Sequence, residues 1–383
     1  MVRIASYNVE NLFARPKVFR TNDWSTSEPI LAAYEEVNAL FQADTYSDQD
    51  KANIKRLLVE LDIYVVNANG AVRRRDTTSP RWAWLRKNRG SFDRQPEDTT
   101  KDIEIIADGR ASWIGWVELA KEAVDETSTR MTARVITEGV DPDVIAVVEA
   151  EDRPSLQRFT TDLLDARYRH LMLVDGNDER GIDVGIMSKP GFPIGTIRSN
   201  VDTEDGDGIV FSRDCPEYQV RTQSGADVFM LVNHFKSQSG GGGDRRLRQA
   251  REVRRIADRL IDAGNHVVVL GDLNEGPTTE GSQAANLSPL FDNNSPFVDS
   301  YSLPAFGVGP RPGTFDSCGL RNRLDYILIS RSLVNAFNGG AIFRKGLWGT
   351  RKTRPTAWAT YPDMQSGDQQ ASDHAAVYID LDI

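Results

Sequence analysis

Seven short runs of β-branched and other apolar residues, each about one strand long, are spread along the whole chain. They are Val2 to Tyr7, Val144 to Val148, Val184 to Met187, Val228 to Val232, His266 to Leu270, Tyr326 to Ile329 and Ala375 to Ile379. Runs of this length beside Gly, Asp or Asn read as buried strands. Between some of them the apolar period lengthens. Leu247, Ala250, Val253, Ile256, Leu260 and Ile261 recur every three or four positions, which predicts a helix from Asp244 to Ala263, stopped at Gly264 and Asn265. Val124 to Thr137 has the same spacing, with Met131 and Val135 on one side. Strands mixed with helices over a whole chain imply a layered α/β architecture.

One region departs from this pattern. From about Arg15 to Thr137 no clear strand interrupts the chain. The region holds a helix-like stretch with Ile54, Leu57, Leu58 and Leu61 on one face, and the basic, aromatic segment RWAWLRKNRGSF from Arg81 to Phe92. No linker bounds it, so the expectation is a single domain over residues 1–383 with a large insertion at about 15–137. The one low-complexity patch is Ser239 to Gly243, and the polar stretch Arg354 to Gln370 reads as a loop.

The 383 residues are 39% hydrophobic, enough for a sizeable core. A net charge of -10 argues against a protein that merely coats nucleic acid. It leaves room for an acidic cluster that holds a cation, because a bound metal inverts local electrostatics. The two cysteines, Cys215 and Cys318, form no CxxC pair, which excludes a disulfide-dense scaffold and a cysteine-rich zinc site and favours two reduced thiols. The N-terminus has no apolar leader core, and no run of about 18 apolar residues occurs. A cytoplasmic protein without membrane association is therefore expected.

Chemistry gathers where the strands stop. Val2–Tyr7 runs into Asn8 and Glu10, Val144–Val148 into Glu149, Val228–Val232 into Asn233, His234 and Lys236, and His266–Leu270 into Gly271, Asp272, Leu273 and Asn274. Ser372, Asp373 and His374 precede the last run. One polar residue at a strand end is ordinary turn chemistry. Five such ends, carrying two of the chain's four histidines, are how α/β folds assemble a site. Hard oxygen donors such as Glu149, Asn8 and Asp373 suit Mg²⁺ or Mn²⁺. Such an ion polarises phosphoryl oxygens, and an imidazole beside a carboxylate suits base work or stabilisation of a pentacovalent phosphate. Neither GxSxG nor a Walker A sequence is present, so elbow-serine acyl transfer and P-loop chemistry lose ground.

The ordered series YNVEN, VVEAED, RGIDVGIMSK, NHFKS, GDLN, RLDYILIS and SDHAAV, running from residue 4 to residue 379, closely resembles the endonuclease/exonuclease/phosphatase superfamily, in particular its bacterial nuclease-like branch. The resemblance covers the framework and not the insertion. It implies two mixed β-sheets packed face to face with helices outside, a deoxyribonuclease I-like fold with a cleft at one edge. It implies Glu149 as the main metal carboxylate, Asn8 as a metal or phosphate ligand, and Asp373 as a further metal ligand. Glu10 stands where relatives often carry an acid. Asp272 would align the attacking water, Asn274 contact the phosphate, His234 stabilise the transition state, and Asp325 orient His374 at the reacting centre. Arg180 stands before the VGIMS strand where several repair relatives carry Tyr, and a guanidinium suits that phosphate contact. Arg180 and Lys236 are thus the expected substrate-binding cations.

The expected activity is metal-dependent hydrolysis of nucleic-acid phosphodiesters, DNA or RNA, by a monomer. The alternatives are a phosphodiesterase or phosphatase acting on small-molecule or lipid-headgroup esters, and a non-catalytic binder on an enzyme scaffold. His170 and His266 read as structural, and Trp82, Trp84, Trp113 and Trp116 as packing within the insertion. Arg81, Arg86, Lys87 and Arg89 are candidate substrate contacts. The arginines from Arg245 to Arg255 form either a solvated face or a phosphate rail.

Overall fold

The computed structural model describes residues 1–20, 24–124, 126–238, 240–349 and 356–383, so Asp125, Ser239, Arg354 and Pro355 of the stretches above lie outside the described residues. The chain divides into two compact units, one of residues 1–13 and 123–383, the other of residues 14–122.

The chain enters the first unit as strand β1 (Val2–Leu12). The second unit then holds helices α1 (Trp24–Leu40) and α2 (Asp48–Glu60) and the hairpin β2 (Ala83–Gly90) and β3 (Trp113–Leu119), with short two-stranded pairs between. Helix α2 starts at a capping box: Ser47 Oγ accepts from the Asp50 N–H, and the Asp50 carboxylate accepts from the Ser47 N–H. Its apolar face, Ile54, Leu57 and Leu58, is fully buried with Phe41, Tyr64 and Trp113 in a core of the unit's own.

The first unit resumes with α3 (Thr127–Arg134), continued as a π-helical turn over Val135–Val140. Then follow β4 (Val144–Ala150), α4 (Arg153–Leu163), β5 (His170–Val174), β6 (Asp183–Ser188), β7 (Ile194–Arg198), β8 (Glu217–Arg221), β9 (Asp227–His234) and α5 (Gly243–Asp262). The remaining strands are β10 (His266–Asp272), β11 (Phe297–Asp299), β12 (Phe306–Gly307), β13 (Asp325–Ser330), β14 (Phe337–Phe343) and β15 (Ala376–Leu381). One sheet has the order β5-β6-β4-β1-β15-β14-β12, the other β7-β8-β9-β10-β13-β11.

All seven expected strands are present. The inner faces of the two sheets share one core, in which Ile4, Val144, Val148 and Val377 of the first sheet meet Met230, Val268, Leu270 and Ile327 of the second. Outside, α5 lays Ala250, Val253, Ile256 and Ala257 on the second sheet, as its spacing predicts. Met131, Val135 and Ile136 join α4 residues Leu156 and Phe159 over the first. The stretch 123–137, read in the sequence as part of the insertion, thus packs in the first unit. The fold is the expected pair of mixed sheets with flanking helices.

Candidate active site

Strand direction decides what meets at the sandwich edge. β1 and β4 are parallel, with Asn8 opposite Val148, so Asn8 and Glu149 leave the first sheet side by side. β9 and β10 are also parallel, with His234 opposite Asp272. β13 runs antiparallel to β10, so its first residue, Asp325, faces Asp272. β15 is antiparallel to β1, with Val377 opposite Ser6, which brings Ser372, Asp373 and His374 in at the same edge. Ends of parallel strands and starts of antiparallel ones therefore collect in one place.

The side chains interlock there. Asn8 Nδ2 donates to Glu149 Oε1 at 3.2 Å and to Asp272 Oδ2 at 3.4 Å, joining carboxylates from the two sheets. His234 Nε2 lies 3.6 Å from Glu149 Oε1 and 3.7 Å from Asp272 Oδ2. His374 Nδ1 is bonded to Asp325 Oδ2 at 2.7 Å, and its Nε2 lies 3.8 Å from Asp272 Oδ2 and 3.9 Å from Asp373 Oδ1. Asn274 donates its backbone N–H to Asp272 Oδ1 and its amide to Asp272 Oδ2 and the Phe235 carbonyl. Ser372 Oγ donates to the Asn8 carbonyl and accepts from the His374 N–H, pinning the final loop to β1.

The backbone is held in rare conformations at this edge. Glu10, Asn11, Glu149 and Asn274 have φ of 51°, 62°, 68° and 55°, a region that non-glycine residues seldom adopt and that recurs at functional sites. Gly271, at φ +130°, lies so close to β9 that a Cβ there would sit 2.0 Å from the Asn233 carbonyl oxygen.

Burial gives the two histidines opposite states. Burial, reinforced by the cations Arg213 and His374, pushes His234 well below the usual imidazole range. Burial acts the same way on His374, but the carboxylates of Asp325, Asp272 and Asp373 outweigh it and raise it to about 10. Burial also lifts Asp272 above the usual carboxylate range, against the pull of His374. Glu10 is raised to about 7 by burial and by neighbouring Asp373, whose N–H it accepts at 2.8 Å.

Asn8, Glu149, His234, Asp272, Asn274, Asp325, Asp373 and His374 thus stand together. Arg180 does not reach into this group: its guanidinium, 67% exposed, is bonded to Asp178. Lys236 Nζ lies 3.3 Å from Ser237 Oγ. Two further residues belong to the site. Arg213 is buried beside Asp178 at 2.9 Å, close enough to act on His234 and Asp272 through its charge. The Phe315 ring packs on His374 with centroids 4.9 Å apart. Arg213 comes from an irregular segment with no periodic signal. Phe315 likewise lies in a segment for which the sequence offered no motif.

The donor set suits a hard divalent cation: carboxylates from two sheets converge on one amide. No preformed cage exists, since no three His, Cys, Asp or Glu side chains are grouped to hold a metal among the described residues. Asn8 Oδ1 accepts from the Glu10 N–H at 3.1 Å while its nitrogen faces the carboxylates, an arrangement that orients Glu149. Glu149 and Asp373 are oxygen donors of the kind that would suit Mg²⁺ or Mn²⁺.

The profile of the Endonuclease/Exonuclease/phosphatase family matches residues 88–381. No curated protein matches the sequence. Among solved structures, a mannosyl-6-phosphatase of Bacteroides thetaiotaomicron is 16% identical with a TM-score of 0.50, over 68% of this chain and 92% of that one. An endonuclease/exonuclease/phosphatase family protein of the same species is 17% identical, TM-score 0.49, over 67% and 90%. The catalytic domain of human Nocturnin is 15% identical, TM-score 0.47, over 67% and 86%. At these identities the likeness is one of fold.

Proposed function

Because the chain belongs to the endonuclease/exonuclease/phosphatase family, whose shared chemistry is phosphoric ester hydrolysis, we propose that it is a Mg²⁺- or Mn²⁺-dependent phosphodiesterase that cleaves nucleic acid, DNA or RNA. The observation that carries this reading is the closure of one network around the Asn8 amide, in which contacts of 3.9 Å or less link His234 and His374 to the three carboxylates of Glu149, Asp272 and Asp373.

Each residue then has a task. Glu149 and Asp373 would hold a divalent ion, which would supply positive charge for the phosphoryl oxygens. Asp272, desolvated and raised in pKa, takes a proton from water as the water oxygen bonds to phosphorus. Asn274 holds Asp272 in place through its backbone N–H and its side-chain amide. Neutral His234 supplies an N–H to the developing negative charge. His374, protonated through the neutral range by its bond to Asp325, steadies that charge and returns a proton to the leaving oxygen as the P–O bond breaks.

The test is nicking of plasmid DNA with Mg²⁺ or Mn²⁺, and its loss on adding chelator. His374→Ala should lower the rate by roughly 10²–10⁴-fold, and full activity in that variant would end the assignment. One observation favours a second reading, a hydrolase of small phosphoesters. Most arginines of α5 pair within the protein: Arg246 with Glu275, Arg248 with Asp205, Arg254 with Asp258, Arg255 with Glu252 and Arg259 with Glu217, while Arg245 donates to backbone carbonyls and Arg251 stays exposed. A phosphate rail on that helix would have to form largely against these pairings. Inert nucleic acid beside turnover of an inositol phosphate or a nitrophenyl diester would decide for the small ester.

A further inference from the structure

The hairpin β2–β3 of the second unit has two unlike faces. Residues opposite each other in an antiparallel pair share a face. Trp113, Gly115 and Val117 point inward, and the Trp113 indole lies so close under Gly115 that a Cβ there would meet it at 2.1 Å. The other face sets Trp84 opposite Glu118, Arg86 opposite Trp116 and Arg89 opposite Ile114. Trp116, expected from the sequence to be packing, is 45% exposed.

The pairing shifts between Lys87 and Arg89, where Asn88 is the extra residue of a bulge. Strict alternation would send Arg89 to the buried side. The bulge turns it onto the Trp116 face, which is how bulges re-aim side chains. Arg86 stacks over the Trp84 ring at 5.1 Å and is held by Glu118. Lys87 lies opposite Gly115, in the register of the inward residues, so the free cation that shares the outer face with Trp116 is Arg89, exposed and without an ion pair among the described residues. A bare indole beside a free guanidinium matches a ligand with flat faces and a polyanionic backbone. A duplex hides its base faces in the stack, whereas a single strand offers them.

We propose that the outer face of this hairpin binds single-stranded nucleic acid, one base stacking on Trp116 and a neighbouring phosphate paired with Arg89. The inference deepens the nucleic-acid reading of the active site and rests on it for the substrate class. The experiment is fluorescence anisotropy of a labelled oligothymidylate with the full chain in chelator, so that nothing is cleaved, repeated across a salt series and with a perfect duplex. The wild-type chain should bind the single strand more tightly than the duplex, with affinity falling as salt rises. Trp116→Ala should weaken binding about tenfold, the order expected for one lost stacked base. Arg89→Glu should weaken it and flatten its salt dependence. Thermal unfolding of each variant checks that the hairpin still forms. Unchanged affinity in these variants, or a duplex bound as tightly as the single strand, overturns the proposal. Binding by the hairpin with no cleavage in any metal would instead sink the nuclease reading alone, and cleavage with binding indifferent to the hairpin would sink only this one.

Discussion

Two histidines a few ångströms from the same carboxylate carry different charge, because one has a partner that the other lacks. His374 gives its Nδ1 to Asp325, whereas His234 Nδ1 is buried without a hydrogen-bond partner. Asp325→Asn should drop the His374 pKa from about 10 towards the neutral range, read by NMR titration of the ring. A ring that still titrates near 10 would show that Asp325 is not the cause. Behind His234, burial acts to raise Asp178, yet Arg180 and Arg213 hold it down at about 2. A carboxylate depressed in the folded state adds stability that is fully present above its unfolded value of about 3.9 and is lost as pH falls towards 2. Denaturant unfolding should therefore weaken between about pH 4 and 2, and Asp178→Asn should flatten that limb. Arg213→Met leaves Asp178 paired with Arg180 alone and should move that acid limb to higher pH, measured by the same denaturant unfolding.

At the scale of elements, the tightest constraint is the parallel pair β9–β10. Gly271→Ala would drive a methyl into the Asn233 carbonyl and pull apart the strand ends that carry His234 and Asp272. Stability and activity should fall together in that variant, and a well-folded, active G271A would contradict the close approach. Legibility in the sequence also followed elements. The central strands announced themselves because both faces are buried and the apolar run is continuous, as in β10, where Val267 to Leu270 are almost fully covered. The edge strands β5 and β7 and the short α1 stripe did not. β5 alternates between buried and half-exposed, and β7 is nowhere fully buried. α1 buries only Ser27, Ala33 and Val37 and contains Pro29, so its apolar period is faint. The site residues were legible for a related reason: each follows directly on a central strand or leads directly into one. Arg213 hangs from a loop, and its proximity to His234 is purely tertiary.

For the whole molecule, residues 14–122 own a core that shares no residue with those of the sandwich. Calorimetry should resolve two unfolding transitions. Leu57→Ala, which empties a fully buried position in that core, should cost about 2–5 kcal/mol and lower one transition only. A single transition displaced as a whole would mean that the two units unfold as one. The family resemblance read from the sequence reached the framework because its motifs are strand ends. It was silent on the second unit, whose stability comes from local packing around Trp113 and Phe41.

The Asn8 amide is a clasp across the seam of the sandwich, one nitrogen shared by an acid from each layer. Sliding of the layers by a fraction of a side chain would open that clasp before any strand unpaired. Mild denaturant should then silence the enzyme while its circular dichroism still looks native, and the catalytic edge would be the first part of the sandwich to come undone.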